Sequence, residues 1–232
     1  MSVKENVKLV LDEIDKAKSR RNFDFGDVTL VAVTKNHGVD VMREAIDSGV
    51  TNIGENRVQE ATEKFQVLER DGLTKHLIGH LQTNKAKQAV KLFDLIHSVD
   101  SENLAAAIDK AAGAIGKVQD VLIQVNLANE ETKFGISEEH LQNLIGTVDT
   151  LKNIRLRGLM LIAPNYADVE DCRPLFRNMR KIFEQVGKTR QDFDFLSMGM
   201  THDYKIAVEE GANIVRVGTA IFGERIYLPA NQ

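Results

Sequence analysis

The run Val28-Thr29-Leu30-Val31-Ala32-Val33-Thr34, then Lys35-Asn36-His37-Gly38, then residues 39–49 decides the fold. The first segment is apolar and β-branched without polar alternation, the pattern of a strand buried on both faces. The last segment has helical periodicity and stops at Gly49. A buried strand followed at once by a helix is one βα unit, and the chain repeats it. Upstream, Val3, Val7, Val10, Leu11 and Ile14 form one stripe of a helix over residues 3–19. Downstream, strands are predicted at 52–53, 76–78, 95–99, 118–127, 155–162, 193–198 and 213–217. Helices are predicted between and after them at 57–70, 84–93, 102–113, 137–148, 169–186 and 202–210, with a last short turn at 219–222. Asp100 or Ser101 caps one of these helices and Ser137 another. Eight units behind one extra N-terminal helix predict a closed parallel (β/α)8 TIM barrel, an α/β fold of about 250 residues. An open doubly wound sheet uses the same alternation, but no G-x-G-x-x-G follows the first strand. Residues 1–232 are therefore read as a single barrel domain.

Composition agrees with that reading. The 232 residues are 43% hydrophobic and 28% charged, enough for one sizeable core. Thirty Lys+Arg against 34 Asp+Glu leave a formal charge of −4, which argues against a dedicated nucleic-acid or anionic-membrane surface. No apolar run approaches the roughly 18 residues of a membrane span, and the charged N-terminus has no signal-peptide core. The lone cysteine, Cys172, excludes an internal disulfide framework and a Cys-rich zinc site. It falls in a polar helical stretch and reads as a bystander. A compact cytoplasmic protein is the expectation.

Barrels carry their chemistry at the C-terminal ends of the strands. There the sequence places Thr34-Lys35, Glu55-Asn56, Gly79-His80, Met160, Met198-Gly199-Met200-Thr201 and Arg216-Val217-Gly218-Thr219. Lys35 is either a lysine reaching solvent at the mouth or a partly buried amine able to form a Schiff base with a carbonyl. Desolvation and a neighbouring cation such as Arg216 favour the neutral, nucleophilic amine. Thr201 and Gly218-Thr219 start helical turns after the seventh and eighth strands, where barrels recurrently cradle phosphate. Each, taken alone, is also an ordinary cap or turn. Arg216 interrupts an apolar interior strand, so it either pairs with a buried carboxylate such as Glu224 or faces a ligand. His76 reads as a hydrogen-bonded core residue, because no metal-ligand motif surrounds it. His80, His202 and Tyr204 have no assigned role. The 84–87 and 177–181 clusters read as solvated helix faces.

A strand-one lysine with a phosphate cradle at strands seven and eight suggests pyridoxal 5′-phosphate (PLP). The blocks Ala32-Val33-Thr34-Lys35, Ile53-Gly54-Glu55-Asn56-Arg57-Val58-Gln59-Glu60 and residues 76–85 (HLIGHLQTNK) resemble those of the YggS/PROSC family. So do Gly158-Leu159-Met160, Ser197-Met198-Gly199-Met200-Thr201 and residues 215–223 (VRVGTAIFG). The resemblance runs from about residue 28 to residue 225. It implies a fold-type III PLP protein, similar to the barrel domain of alanine racemase and acting in PLP homeostasis. It implies Lys35 as the Schiff-base residue and Thr201, Gly218 and Thr219 as the phosphate site. It also places Arg216 at the pyridine nitrogen and Asn56 beside the ring. Thr201 stands where the family usually has serine, Lys75 where an aromatic is common, and Asn36-His37-Gly38 lacks the usual proline.

PLP chemistry needs an electron sink and a second acid or base. An arginine at the pyridine nitrogen is a poor proton donor. The resemblance implies that racemases of this type take a tyrosine from a separate C-terminal β-domain. This sequence ends soon after the eighth strand, and Tyr166, Tyr204 and Tyr227 lie outside the motif blocks. The expectation is a non-catalytic carrier or regulator of PLP in vitamin B6 and amino-acid balance. PLP-dependent apo-enzymes are its expected recipients, and the chain is expected to be a monomer. The alternatives are a PLP-dependent amino-acid racemase, in which Tyr204 or His202 points at the ring, and an aldolase-type barrel without PLP.

Overall fold

The structure, a computed structural model, describes residues 1–68, 70–128, 130 and 133–223. Eight strands run β1 (Thr29–Val33), β2 (Asn52–Glu55), β3 (Thr74–Leu77), β4 (Leu95–Val99), β5 (Gln119–Val125), β6 (Ile154–Leu161), β7 (Phe195–Met200) and β8 (Ile214–Val217). Ahead of them stands α1 (Val3–Ser19), and between them α2 (Val39–Asp47), α3 (Val58–Val67), α4 (Ala86–Leu92), α5 (Glu102–Gly113), α6 (Glu138–Thr150), α7 (Arg173–Gly187) and α8 (Tyr204–Glu209). A last turn, α9 (Thr219–Phe222), follows β8. The strands form a closed parallel barrel in sequence order. Closure is made where β1 pairs with β8, from Thr29 opposite Ile214 to Ala32 opposite Val217.

The uninterrupted apolar strands follow from this closure, because each strand is covered on both faces. Alternate residues separate into two cores. Leu30 and Ala32, Val121 and Ile123, Leu159 and Leu161, and Val215 and Val217 belong to the layer between strands and helices. Val31, Leu122, Met160 and Ile214, with Leu95, fill the barrel interior. The same alternation turns Asn52, His76, His97, Ser197 and Arg216 inward. Gly158 permits the approach of β6 to β7: a Cβ there would lie 1.8 Å from the Phe195 carbonyl oxygen. At the N-terminal end, Asp120 pairs with Arg155 and Arg157, and Arg157 lies 4.7 Å over the Phe195 ring.

α1 begins at a reciprocal cap, in which Ser2 and Glu5 each take the other's backbone N–H. It packs against α8 and α9, and Asn6 Nδ2 donates to Ile221 O at 2.8 Å. Arg21, just beyond α1, donates to the carbonyls of Val208 and Ala212. Cys172 is fully buried rather than on a polar face, and burial beside Asp203 pushes its thiol up to about 11. The 177–181 cluster is also only partly solvated. Arg177 and Arg173 both pair with the buried Glu210, and the Arg180 guanidinium sits 4.0 Å over Phe23.

Candidate functional site

Lys35 follows β1 at the barrel mouth and is half-buried. Both of its chain neighbours are held by one network. Thr34 Oγ1 donates to Glu55 Oε1 at 2.6 Å, and the Asn36 N–H donates to Glu60 Oε1. Lys64 Nζ, from α3, reaches Thr34 O at 2.7 Å, Glu55 Oε1 at 2.8 Å and Glu60 Oε1 at 2.6 Å. Those three acceptors use all the N–H bonds of one ammonium. Asn36 takes positive φ, at 62°, which turns the chain sharply after Lys35. Burial pushes the Glu55 carboxyl up, opposed by Lys64 and Thr34. The strand end bearing Lys35 is thus fixed by buried charge rather than by strand pairing alone. Lys64 is a residue that the sequence reading missed; its only signal is the i, i+4 spacing from Glu60.

Asn56 follows β2 directly. Its Oδ1 is buried and has no hydrogen-bond partner among the described residues. Gly79 closes over it, since a Cβ there would lie 2.3 Å from the Asn56 carbonyl oxygen. A cavity of about 500 Å³ opens outward from Asn56 past Arg57, Gln59, His80, Gln82 and Lys85. His80 stacks on Phe134 at 3.7 Å and 11° between planes, with Nδ1 3.6 Å from Asp100.

The two parts of the predicted cradle meet. Thr201 Oγ1 accepts the Gly218 N–H at 3.2 Å, and Gly218 lies against β1, where a Cβ would stand 3.3 Å from Val33 O. Thr219 opens α9 and is exposed. The sequence predicts that Thr201 begins the helix after β7, and the structure corrects this. Thr201 sits in a turn, because Asp203 Oδ1 takes the Met200 N–H at 2.6 Å and α8 starts only at Tyr204. Thr201, Gly218, Lys35 and Asn56 therefore follow one another along four neighbouring strand ends, β7, β8, β1 and β2.

Arg216 lies one layer below, in the interior and 3% exposed. It donates to Ser197 Oγ at 2.6 Å and to Leu161 O at 2.9 Å. Burial lowers it to about 10, against the nearby charge of Asp203, so it stays a cation and a donor near neutrality. Glu224, the carboxylate that the sequence offered as its partner, and Tyr227 lie outside the described residues. Ser197 Oγ lies 3.0 Å from His97 Nδ1, whose Nε2 is 2.9 Å from His76 Nδ1. His76 is a hydrogen-bonded core residue, as read from sequence. Tyr204 is buried in the layer facing α1, its hydroxyl pushed up by burial and by Glu13. His202 is exposed, and Tyr166 packs on the outer core from the loop after β6.

Comparison with known proteins places the chain in a family. The family described as alanine racemase, N-terminal domain matches residues 14–226. A pyridoxal phosphate homeostasis protein of Aquifex aeolicus is 42% identical over 228 residues, which cover 98% of this chain and 100% of that protein. The chain belongs to the pyridoxal phosphate homeostasis protein family. Another family member, from Escherichia coli K12, is 36% identical over 97% of both chains. Among solved structures, PipY of Synechococcus elongatus PCC7942 with PLP bound matches with a TM-score of 0.84 at 36% identity, over 96% of this family member and 100% of PipY. An alanine racemase of Clostridium difficile 630, 18% identical with a TM-score of 0.69, shares the barrel fold.

The residues present fit PLP on their own chemistry. Asn56 Oδ1 is an orphaned buried acceptor at the mouth. A hydroxyl, a backbone N–H and a side-chain-free glycine converge at Thr201 and Gly218, as an approaching phosphate requires. The buried Arg216 offers donors and no acceptor to an aromatic nitrogen.

Proposed function

We propose that the chain binds PLP at the barrel mouth and acts in PLP homeostasis as a carrier or regulator rather than as a turnover enzyme. The observation that carries the reading is the unbroken run of Thr201, Gly218, Lys35 and Asn56 along four neighbouring strand ends. When bound, PLP supplies a reactive aldehyde and an electron-withdrawing ring. Lys35 is the Schiff-base residue, and the clamp on Thr34 and Asn36 holds its backbone toward the mouth. Thr201, Gly218 and Thr219 bind the phosphate, and Asn56 lies beside the ring. Arg216 faces the pyridine nitrogen and, being a cation with donors only, keeps that nitrogen unprotonated. The electron sink is weakened accordingly.

The absence of turnover is supported by where the candidate acids point. Tyr204 is packed toward α1, and His202 is exposed on the turn after β7. Action in the cytoplasm, as a monomer, with PLP-dependent apo-enzymes as recipients, completes the proposal. The test is the visible spectrum of the purified protein with added PLP, then borohydride reduction and peptide mass mapping. The expected result is a visible absorbance band that the PLP-free protein lacks, with the reduced pyridoxyl mass on Lys35. A protein that gains no band with PLP refutes the binding. Steady D/L interconversion of an amino acid, lost in Lys35→Ala, refutes the carrier role.

A further inference from the structure

A single hydrogen-bonded chain crosses the barrel interior from Arg216 to its N-terminal end. Arg216 Nη1 meets Ser197 Oγ at 2.6 Å, Ser197 Oγ meets His97 Nδ1 at 3.0 Å, and His97 Nε2 meets His76 Nδ1 at 2.9 Å. His76 Nε2 then meets Asn52 Oδ1 at 2.9 Å, beside a cavity of about 210 Å³ between the strand starts. The Asn52 amide is oriented by its other end, since Nδ2 donates to Thr51 Oγ1 at 3.0 Å.

The direction of every proton in this chain is fixed from both ends. Asn52 Oδ1 only accepts, so His76 Nε2 carries hydrogen and a neutral His76 Nδ1 must accept. His97 Nε2 therefore donates and its Nδ1 accepts, which leaves the Ser197 hydroxyl as donor to His97. The guanidinium at the other end only donates, so Ser197 Oγ accepts from Arg216 while giving its own proton away. The two demands agree, and each interior link has one donor and one acceptor. Burial keeps both rings neutral, with His76 lowered to about 4 and His97 well below its usual range. A buried chain of this kind is polarised in one sense, which strengthens each acceptor in turn.

We propose that His97 and His76 are positioning residues for Arg216: they commit the Ser197 hydroxyl downward, so that its oxygen always holds the guanidinium and aims the remaining donors at the barrel mouth. The part of this that concerns PLP rests on the functional reading above. Without His97, the Ser197 proton loses its acceptor, and the hydroxyl oxygen is held toward Arg216 by the guanidinium alone.

The experiment has two arms. In the PLP-free protein, nitrogen-15 spectra of the imidazoles and of the Arg216 side chain are recorded for wild type, His97→Phe, His97→Gln and Ser197→Ala. Wild type is expected to show two Nε2–H rings at pH 7 and resolved, slowly exchanging Arg216 Nη signals. His97→Phe and Ser197→Ala are expected to average the Arg216 signals. His97→Gln, which keeps an acceptor toward Ser197 and a donor toward His76, is expected to restore them. An Nδ1–H ring, or Arg216 signals unchanged in both His97→Phe and Ser197→Ala, overturns the proposal. In the second arm PLP is added. His97→Phe is expected to bind roughly tenfold more weakly, as for a lost hydrogen bond on a charged group, with a shifted absorption band and Lys35 still reducible. His97→Gln recovers the wild-type band. Affinity and band unchanged in His97→Phe also overturn the proposal. If wild type itself takes up no PLP, the functional reading falls, and the first arm still decides whether the histidines position Arg216.

Discussion

Acid should destabilise this protein through a residue that touches no ligand. His76 is buried, and burial holds its ring at about 4 instead of 6.5. In the unfolded chain the same ring takes a proton near its ordinary value. Between pH 6.5 and about 4 the unfolded state therefore holds more protons than the folded state, and stability falls as pH falls. The contribution is intact above 6.5 and is lost across that window. At 1.36 kcal/mol per pKa unit, going from about pH 7.5 to about pH 4.5 costs about 2.5 kcal/mol through His76 alone. Other groups contribute to the wild-type curve, so the informative quantity is a difference. His76→Gln keeps an acceptor for His97 Nε2 and a donor for Asn52 Oδ1 but does not titrate. Urea unfolding midpoints for both proteins, measured at half-unit pH steps, give the two stability curves. The wild-type curve should drop more steeply than the variant's, by about 2.5 kcal/mol over the window. Parallel curves would show that His76 is not held neutral in the fold, and the reasoning from burial would fail.

Two further tests separate the parts of the site. Lys64→Met leaves Glu55, which is fully buried, without its ammonium, and should cost about 3 kcal/mol in urea unfolding. Adding Glu55→Gln should recover much of that loss, whereas additive losses would show that the two residues do not act as a pair. Gly158→Ala and Gly218→Ala pose the same chemical change with opposite outcomes. At Gly158 the new methyl would sit 1.8 Å from a backbone oxygen at positive φ, so the barrel should lose more than about 4 kcal/mol or fail to fold. At Gly218 the nearest atom, the Val33 carbonyl oxygen, is 3.3 Å away and must give only slightly, so the loss should stay at about 1–2 kcal/mol, while PLP titration weakens roughly tenfold if the methyl enters the proposed phosphate site. Equal unfolding midpoints for the two variants would contradict the packing assigned to β6 and β7.

The barrel was legible because closure leaves a mark on every strand. Apolar runs such as Val31-Ala32-Val33 and Val121-Leu122-Ile123 carry no polar alternation, and each was placed within a few residues. β3 starts earlier than its apolar content suggests, at Thr74, because Thr74 and Lys75 are strand residues at the rim of the sheet. The sequence predicts helix from residue 202, whereas residues 201–203 form a turn. The local competitor there is the Asp203 side chain, which takes a backbone N–H that a helix would leave unused. Position marks Lys35 and Arg216 as candidates, polar residues at a strand end and within an apolar run, whereas the role of Asn56 comes from the family resemblance. Ser197 and His97 have no sequence-level role because their partners come from other strands, and Lys64 shows only its spacing from Glu60, while its other partners, Thr34 and Glu55, lie at the ends of β1 and β2. His97 and Ser197 stand 100 residues apart in the chain and meet only across the barrel interior. Inward parity on closed strands is the one sequence signal they share.

The seating of α1 bears on how this chain is made. Helix α1 is synthesised before every strand of the barrel, yet its resting place is built from α8 and α9, far downstream, and Asn6 waits for a carbonyl at Ile221. β1 likewise finds its second edge only in β8. The α1–β1 and α8–α9 segments are thus each other's template, and neither can be buried until β8 and α9 have been made. Barrel closure therefore waits for β8, and a ribosome stalled before it should display an open, protease-sensitive sheet with α1 undocked.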